Sequence, residues 1–379
     1  MNKSLEEIGV ILSGKDYKSN PPGDNVPIYG TGGIMGYTSI PLNQGASVLT
    51  GRKGTINRPI YVEGDFWNVD TIFCVKANDG VDTKWLYYSF LNTDISKLNE
   101  ATGVPSVSSK ALYKLKFKWF ELPEQRQIAT ILSTADAVIE KTQAAIAKYK
   151  AIKQGMLQDS FTRGIDTTTG KLRPSYQDAP ELYKESKLGW IPKEWEVERI
   201  DKLCQITTGN KDTQNKLEYG VYPFFVRSQT IEKINSYSYD GEAILTAGDG
   251  VGVGKIYHYI NGKFDFHQRV YMLYEFEKTI APKFLFYFFS NNFLAEVDRC
   301  SAKTTVDSVR MEMIAGMKIP LPDISEQISI AEKLITLESK LQTEQDFLHK
   351  QQQIKAGLMN DLLSGRKKVV MKEEIIQSN

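Results

Sequence analysis

One long helical pattern occurs twice in this 379-residue chain, and no other feature constrains the fold as strongly. The first copy runs from Pro123-Glu124-Gln125 to Ile152-Lys153, Gly155 and Asp159. The second runs from Ser325-Glu326-Gln327 to Ile354-Lys355, Gly357 and Asp361, with matching residues 202 positions apart. Each copy opens near proline and acid and closes on glycine, Gly164 or Gly365. A period near half the chain means two related units rather than a solenoid of short repeats.

Both copies read as amphipathic helices. Apolar or small residues recur at 3–4 spacing through Ile128, Ile131, Ala135, Val138, Thr142, Ala145, Tyr149, Ile152 and Met156. The second copy runs through Ile330, Leu334, Leu337, Leu341, Glu344, Leu348, Gln351, Lys355, Leu358 and Leu362, weaker in its middle and later parts, where polar residues take three of the positions. A 3.5-residue period favours helix pairing along a narrow seam. Helices of about 40 residues would span roughly 60 Å. They could pack separately on their own domains. The heptad pattern favours pairing with each other, antiparallel, each carrying its globular unit to an opposite end of a rod.

The expected fold class is α+β. Two α/β units with small twisted β-sheets are separated by two long antiparallel coiled-coil helices, with an internal pseudo-two-fold repeat. The expected division is residues 1–121 and 188–322 as globular units, 122–163 and 323–365 as helices, 164–187 as a linker and 366–379 as a charged tail. In the first unit, β-branched and aromatic runs at 26–29, 46–50, 59–62 and 71–75 predict strands, Trp85–Leu91 a helix, Thr102–Ser108 a loop and Tyr113–Phe120 a strand. The second unit repeats the order: Ile206-Thr207-Thr208-Gly209 echoes Ile11-Leu12-Ser13-Gly14, Ala243–Thr246 echoes Ser47–Thr50, and Phe284–Phe289 echoes Trp85–Phe90. The loops differ in length.

Several chemistries are excluded by their own requirements. Asn20-Pro21-Pro22-Gly23 lacks the aromatic fourth residue that stacks on a flipped base. Gly248–Lys255 resembles a phosphate loop, yet Asp249 stands where the first glycine belongs and Ile256 where Ser or Thr does. Gly30–Gly36 misses the dinucleotide spacing. Asp323, Glu338 and Lys340 mimic a nuclease triad only by chance, since the last two lie on the heptad helix. Three dispersed cysteines and three dispersed histidines form no metal pattern, so neither metal nor cofactor is expected. No apolar run approaches the roughly 18 residues of a membrane span. The expectation is a cytoplasmic protein without membrane association.

What remains is a pair of loop clusters suited to a polyanion. In the first unit Arg52 and Lys53 sit between Gly51 and Gly54, with Asn57 and Arg58 just beyond, and the Thr31-Gly32 turn is a further candidate. Glycines let backbone N–H groups approach phosphates, and Arg reaches base edges bidentately. In the second unit the equivalent stretch is Thr246–Lys255, with Asn210, Lys211, Arg227, Gln229, Lys255, His267, Gln268 and Arg269 as candidates. Binding residues concentrate on loops held by a rigid scaffold.

Together these features resemble the specificity subunit of type I restriction-modification systems. The resemblance rests on two variable units, each followed by an entry containing Glu-Gln and a long helix ending in Ile-Lys-x-Gly. It rests also on Trp190-Ile191-Pro192-Lys193-Glu194-Trp195, on Ile28–Tyr37 and on Gly51-Arg52-Lys53-Gly54. The first unit departs from the pattern in beginning at Leu5-Glu6-Glu7-Ile8 without the Trp-x-Pro-x-x-Trp opening. The resemblance implies that each unit is a target recognition domain for one half of an asymmetric split DNA site. It implies no catalytic residues, double-stranded DNA and two methyltransferase subunits as partners, and restriction subunits joining through the complex. Ile128, Ile131, Val138, Tyr149, Ile152, Leu334, Leu337, Leu341, Leu348 and Leu358 are the candidate spacer and docking residues. With Lys and Arg numbering 47 against 46 Asp and Glu, the chain alone should bind DNA weakly. A coiled-coil adaptor that binds only proteins is the alternative.

Overall fold

The computed structural model describes residues 1–301 and 309–369. Residues 370–379 of the expected tail lie outside the described residues. The two long helices span Leu122–Thr162 and Ile324–Leu363. Asp323 opens the second by accepting from the Ser325 and Glu326 N–H groups, satisfying donors that have no partner within the helix. Gly164 and Gly365 follow the helices in the left-handed region, at φ 67° and 72°.

The chain divides into two compact units, and the division cuts both long helices. One unit comprises 1–145 with 344–379, the other 146–343. Each unit therefore includes one half of each long helix, and the helix residues in the two cores are those nearest the helix ends.

In the first unit, strands Gly9–Ser13, Ile72–Ala77, Ser47–Gly51 and Ile60–Val62 form an antiparallel sheet in that order. A second sheet orders Gly33–Thr38, Pro22–Gly30, Asp65–Asn68 and Asn43–Gln44, its middle pair parallel. Helix Thr83–Leu91 packs Trp85, Leu86 and Phe90 against Ile128, Leu132 and Leu362 of the long helices. The second unit follows the same path in one six-stranded sheet: Gln205–Thr208, Val270–Tyr274, Tyr239–Ala247, Tyr257–Phe266, Tyr222–Phe225 and Glu232–Ile234. Its parallel pair, Tyr222–Phe225 with Tyr257–Phe266, matches that of the first unit. Helix Pro282–Ser301 buries Phe284, Leu285 and Phe289 with Leu157, Phe161, Ile330 and Leu334.

The duplicated Glu-Gln entry has a structural task. Gln125 is fully buried; its amide accepts from Asp82 N–H at 2.8 Å and donates to Phe120 C=O at 2.8 Å. Gln327 does the same with Ala281 N–H, Thr279 C=O and Pro322 C=O. Each glutamine thus ties the start of the long helix to the start of the unit's shorter helix.

A second duplicated device sets helix register within each unit. In the first, Tyr88 Oη donates to Asp136 at 2.7 Å, and Lys355 of the other long helix pairs with the same carboxylate. In the second, Tyr287 Oη donates to Glu338 at 2.6 Å, and Lys153 pairs with Glu338 at 2.5 Å. Within each unit the helix halves therefore run antiparallel, with the acid and lysine roles exchanged between helices. Glu338 is thereby committed to Tyr287 and Lys153.

Two expectations are corrected. Tyr113–Phe120 is a strand only at Lys116–Lys118, because Ser108 caps a short helix Ser109–Tyr113 by accepting from Ala111 N–H. Residues 164–187 are ordered: Ile165–Asp166 pairs with Lys171–Leu172, and Tyr183–Ser186 pairs with Gly189–Pro192 across the expected boundary. Their anchor is Glu326, 1 % exposed, whose carboxylate receives Ile165 N–H at 2.7 Å, Trp195 Nε1 at 3.1 Å and both Arg173 Nη groups. A Cβ on Gly164 would stand 2.1 Å from Glu326 Oε1 and 2.2 Å from Trp195, so only glycine lets the chain pass.

Candidate nucleic-acid interface

Strand Ser47–Gly51 delivers the first unit's basic loop. A Cβ on Gly51 would lie 2.2 Å from Thr55 O, so the loop closes tightly only because that position is bare. Ile56 is buried in the core and anchors the loop, while Arg52, Lys53, Asn57 and Arg58 remain exposed. Arg52 and Lys53 N–H both donate to Thr71 O, at 2.8 and 3.2 Å. A second loop is zipped alongside: Gly54 N–H donates to Pro105 O and Val107 N–H to Arg52 O. The Arg52 guanidinium lies 5.6 Å from the Phe73 ring centroid. Thr31 joins this tip, its Oγ1 3.6 Å from where a Gly54 Cβ would be, and Gly32 is exposed in the adjacent turn. Asn57 and Arg58 lie further along the loop. The partnership with 102–108 could not be read from local pattern.

The second unit presents different chemistry. Arg227 and Arg269 each hold one oxygen of Asp249, both at 2.6 Å. Burial pushes the Asp249 carboxyl up, and the two guanidiniums outweigh it, so the group stays below its usual range. His267 is 3 % exposed and its Nδ1 accepts the Arg269 backbone N–H at 2.9 Å. Burial, then the nearby Arg227 charge, hold the imidazole below its ordinary pKa. His267 is therefore a neutral support for the loop rather than an exposed reader. Lys211 is half-buried, 3.9 Å from Asp265, and its C=O accepts Gln268 N–H. The Gln268 side chain reaches Asp212 at 3.3 Å. Asn210, Gln229 and Lys255 are exposed, and no described bond ties their side chains to this cluster. The sequence did not single out Asp249 as the partner of Arg227 and Arg269. Its signal was its odd place in a glycine-rich loop.

Backbone hydrogen bonds put the two tips in register. Val107→Arg52 O in the first unit matches Val309→Gly248 O in the second. Arg52→Thr71 O matches Gly248→Arg269 O, and Val69→Tyr29 O matches His267→Phe225 O. Counting along the chain then pairs Thr31 with Arg227, Lys53 with Asp249 and Thr71 with Arg269. Equivalent backbone sites carry unlike side chains.

Comparison with known proteins agrees with this doubled plan. Residues 1–149 and 192–356 each match the type I restriction modification DNA specificity domain. The chain belongs to that family. It is 26 % identical over 319 residues to the type I restriction enzyme MjaVIII specificity subunit of Methanocaldococcus jannaschii, spanning 78 % of this chain and 72 % of that protein. It is 31 % identical over 155 residues to the type I restriction enzyme EcoDI specificity subunit of Escherichia coli, covering 41 % of this chain and 34 % of that one. The crystal structure of a type I restriction-modification system S subunit from M. genitalium superposes with a TM-score of 0.72 at 14 % identity, over 96 % of each chain, which shows a shared fold. Specificity subunits of type I systems are DNA-recognition subunits, not catalytic ones.

For this specificity-family chain the helix residues divide in two. Ile128, Leu334 and Leu337 are buried in their own units, and Ile131 and Leu358 pack partly against the first core. These five support the fold and are not free docking surface. Val138, Tyr149, Leu341 and Leu348 are half-buried and Ile152 is exposed. Cys74 and Cys204 are buried free thiols, and burial pushes the latter up to about 12. Among the described residues no helix is long and apolar enough to cross a membrane.

Proposed function

We propose that this chain is the DNA-reading subunit of a type I restriction-modification complex and recognises an asymmetric split target. Residues 1–121 and 188–322 act as target recognition domains, each reading one half-site, and the long helices fix the gap. The observation that carries this is the registered pair of tips: one frame, two unlike sets of exposed side chains. Two methyltransferase subunits dock on the helices, where Tyr149, Ile152, Leu341 and Leu348 supply exposed or half-exposed apolar surface. Restriction subunits join through that complex. The near-neutral chain relies on these partners for much of its phosphate contact. DNA as substrate places the work in the cytoplasm.

The test is to co-express the chain with its methyltransferase subunits and map methylated positions over a whole genome. A motif of two fixed blocks separated by unspecified bases is the expected result. Arg52→Ala should relax one block and leave the other intact. Equal loss at both blocks would make the Arg52 loop structural, and an undivided motif would remove the proposal.

A further inference from the structure

The Arg227–Asp249–Arg269 cluster is organised differently from an ordinary phosphate-binding surface. Two arginines meant only to attract a backbone would gain nothing from a carboxylate between them, because it cancels one of their two charges. The Asp249 side chain is only 17 % exposed, so the brace is built into the loop rather than borrowed from a mobile surface acid. Each guanidinium spends one Nη1 on it. The edge formed by Nε and Nη2 makes no other hydrogen bond among the described residues, and side-chain exposures of 38 % and 60 % leave both groups reachable. That edge is the donor pair which matches the O6 and N7 acceptors of guanine in the major groove. The His267 ring fixes the Arg269 backbone from behind. The first unit has Thr31, Lys53 and Thr71 at the equivalent places, and among the described residues no carboxylate braces Arg52.

Resting on the reading above, we infer that Asp249 is a positioning residue that turns Arg227 and Arg269 into a braced pair of guanine readers for the second half-site. The carboxylate lowers their pull on phosphate and fixes the direction of their free edges. Discrimination gained by a good bidentate arginine–guanine contact is about 5- to 150-fold per base.

The experiment uses the whole methyltransferase complex, with methylated-motif mapping and binding to duplex DNA carrying the wild-type motif across a salt series. Arg269→Lys keeps the charge and loses the fork. It should degrade one block of the motif at a G·C pair, about 5- to 150-fold in selectivity, with the salt slope unchanged. Asp249→Asn should degrade the same block and steepen the log–log salt slope by about 1, since one more positive charge becomes available to phosphate. The block altered by Arg52→Ala should be the other one. Retained selectivity in Arg269→Lys overturns the inference, as does an affected block lacking any G·C pair. An Asp249→Asn complex that loses selectivity at both blocks equally, or keeps both, also overturns it. If Asp249→Asn fails to assemble, Arg269→Lys alone decides, because its side chain is largely exposed. A wild-type complex without a split motif removes the underlying function before any variant is compared.

Discussion

Glu326 and Glu124 occupy the same position in the duplicated entry, and the structure gives them opposite weights. Four donors converge on Glu326: Ile165 N–H and one Arg173 Nη on Oε1, Trp195 Nε1 and the other Arg173 Nη on Oε2. Arg173 is itself only 13 % exposed and also meets Glu194 at 3.1 Å. Removing the carboxylate leaves two N–H donors without their acceptor and the largely buried Arg173 guanidinium with only Glu194 and the Arg163 carbonyl. Breaking one side of a buried pair costs about 3–5 kcal/mol. Glutamine would not rescue the site, since its amide offers one acceptor oxygen where four donors wait and brings two donors of its own. Glu124 is half-buried and makes no hydrogen bond or ion pair among the described residues. Its replacement by alanine should cost within about 0.5 kcal/mol. Because two units need not unfold together, the assay is native-state hydrogen exchange by mass spectrometry rather than a single melting curve. In Glu326→Ala, amides of residues 163–200 should exchange about 100- to 5,000-fold faster, the equivalent of 3–5 kcal/mol. Glu124→Ala should change its own unit by about twofold at most. Equal effects in the two variants would refute the claim that 165–195 is locked onto the second long helix through this carboxylate.

The tyrosine–acid–lysine devices should behave alike in both units: Tyr88→Phe and Tyr287→Phe each lose a hydrogen bond to a carboxylate, costing about 1.5–3 kcal/mol, read as local exchange in the unit concerned. Inserting four residues into each long helix, between Asp136 and Lys153 and between Glu338 and Lys355, adds about 6 Å of helix. The proposed ruler then predicts a methylated motif whose gap grows by roughly two base pairs, and an unchanged gap counts against it. Acid should weaken the second unit through His258 and His267. Burial depresses both, with the Ser228 carbonyl opposing at His258 and the Arg227 charge adding at His267. The unfolded state therefore binds protons first, so stability is complete above about pH 6.5 and falls as pH drops toward the lowered folded values. Protection factors, with the intrinsic pH dependence of exchange removed, should fall at residues 226–230 and 257–270 between about pH 7.5 and 5.5, and His258→Gln with His267→Gln should flatten that dependence.

Much of the frame was legible in the sequence because its signals are local and doubled. The expected helices at 122–163 and 323–365 became Leu122–Thr162 and Ile324–Leu363, since proline, acid and terminal glycine mark their ends. The short strands and the Trp85 helix follow from β-branched runs and a compact apolar block. The 164–187 stretch misled because it lacks periodicity. Its order comes from Glu326, far along the chain, and from Tyr183, buried at 4 % exposure. The candidate basic residues fall on the loops at the two tips, and which of them are free depends on tertiary partners. His267 turned inward, Lys211 was partly committed, and Asp249 emerged as the group that organises two of the arginines.

The chain supplies its own internal control on what is structural and what is specific. Where both copies must satisfy a buried polar group they use the same or nearly the same residue: Gln125 and Gln327, Tyr88 and Tyr287, Asp136 and Glu338, Lys355 and Lys153. An unpaired group at such a place would cost about 1–3 kcal/mol, so the duplicated chemistry follows from the duplicated fold. At the registered tips the exposed groups, such as Lys53, Arg227 and Arg269, can be satisfied by water, and folding imposes no such demand on them. There the copies diverge to Thr31 against Arg227, Lys53 against Asp249 and Thr71 against Arg269. The frame itself does not require this difference. The proposed asymmetric DNA target would account for it, since two like frames would then need unlike readers.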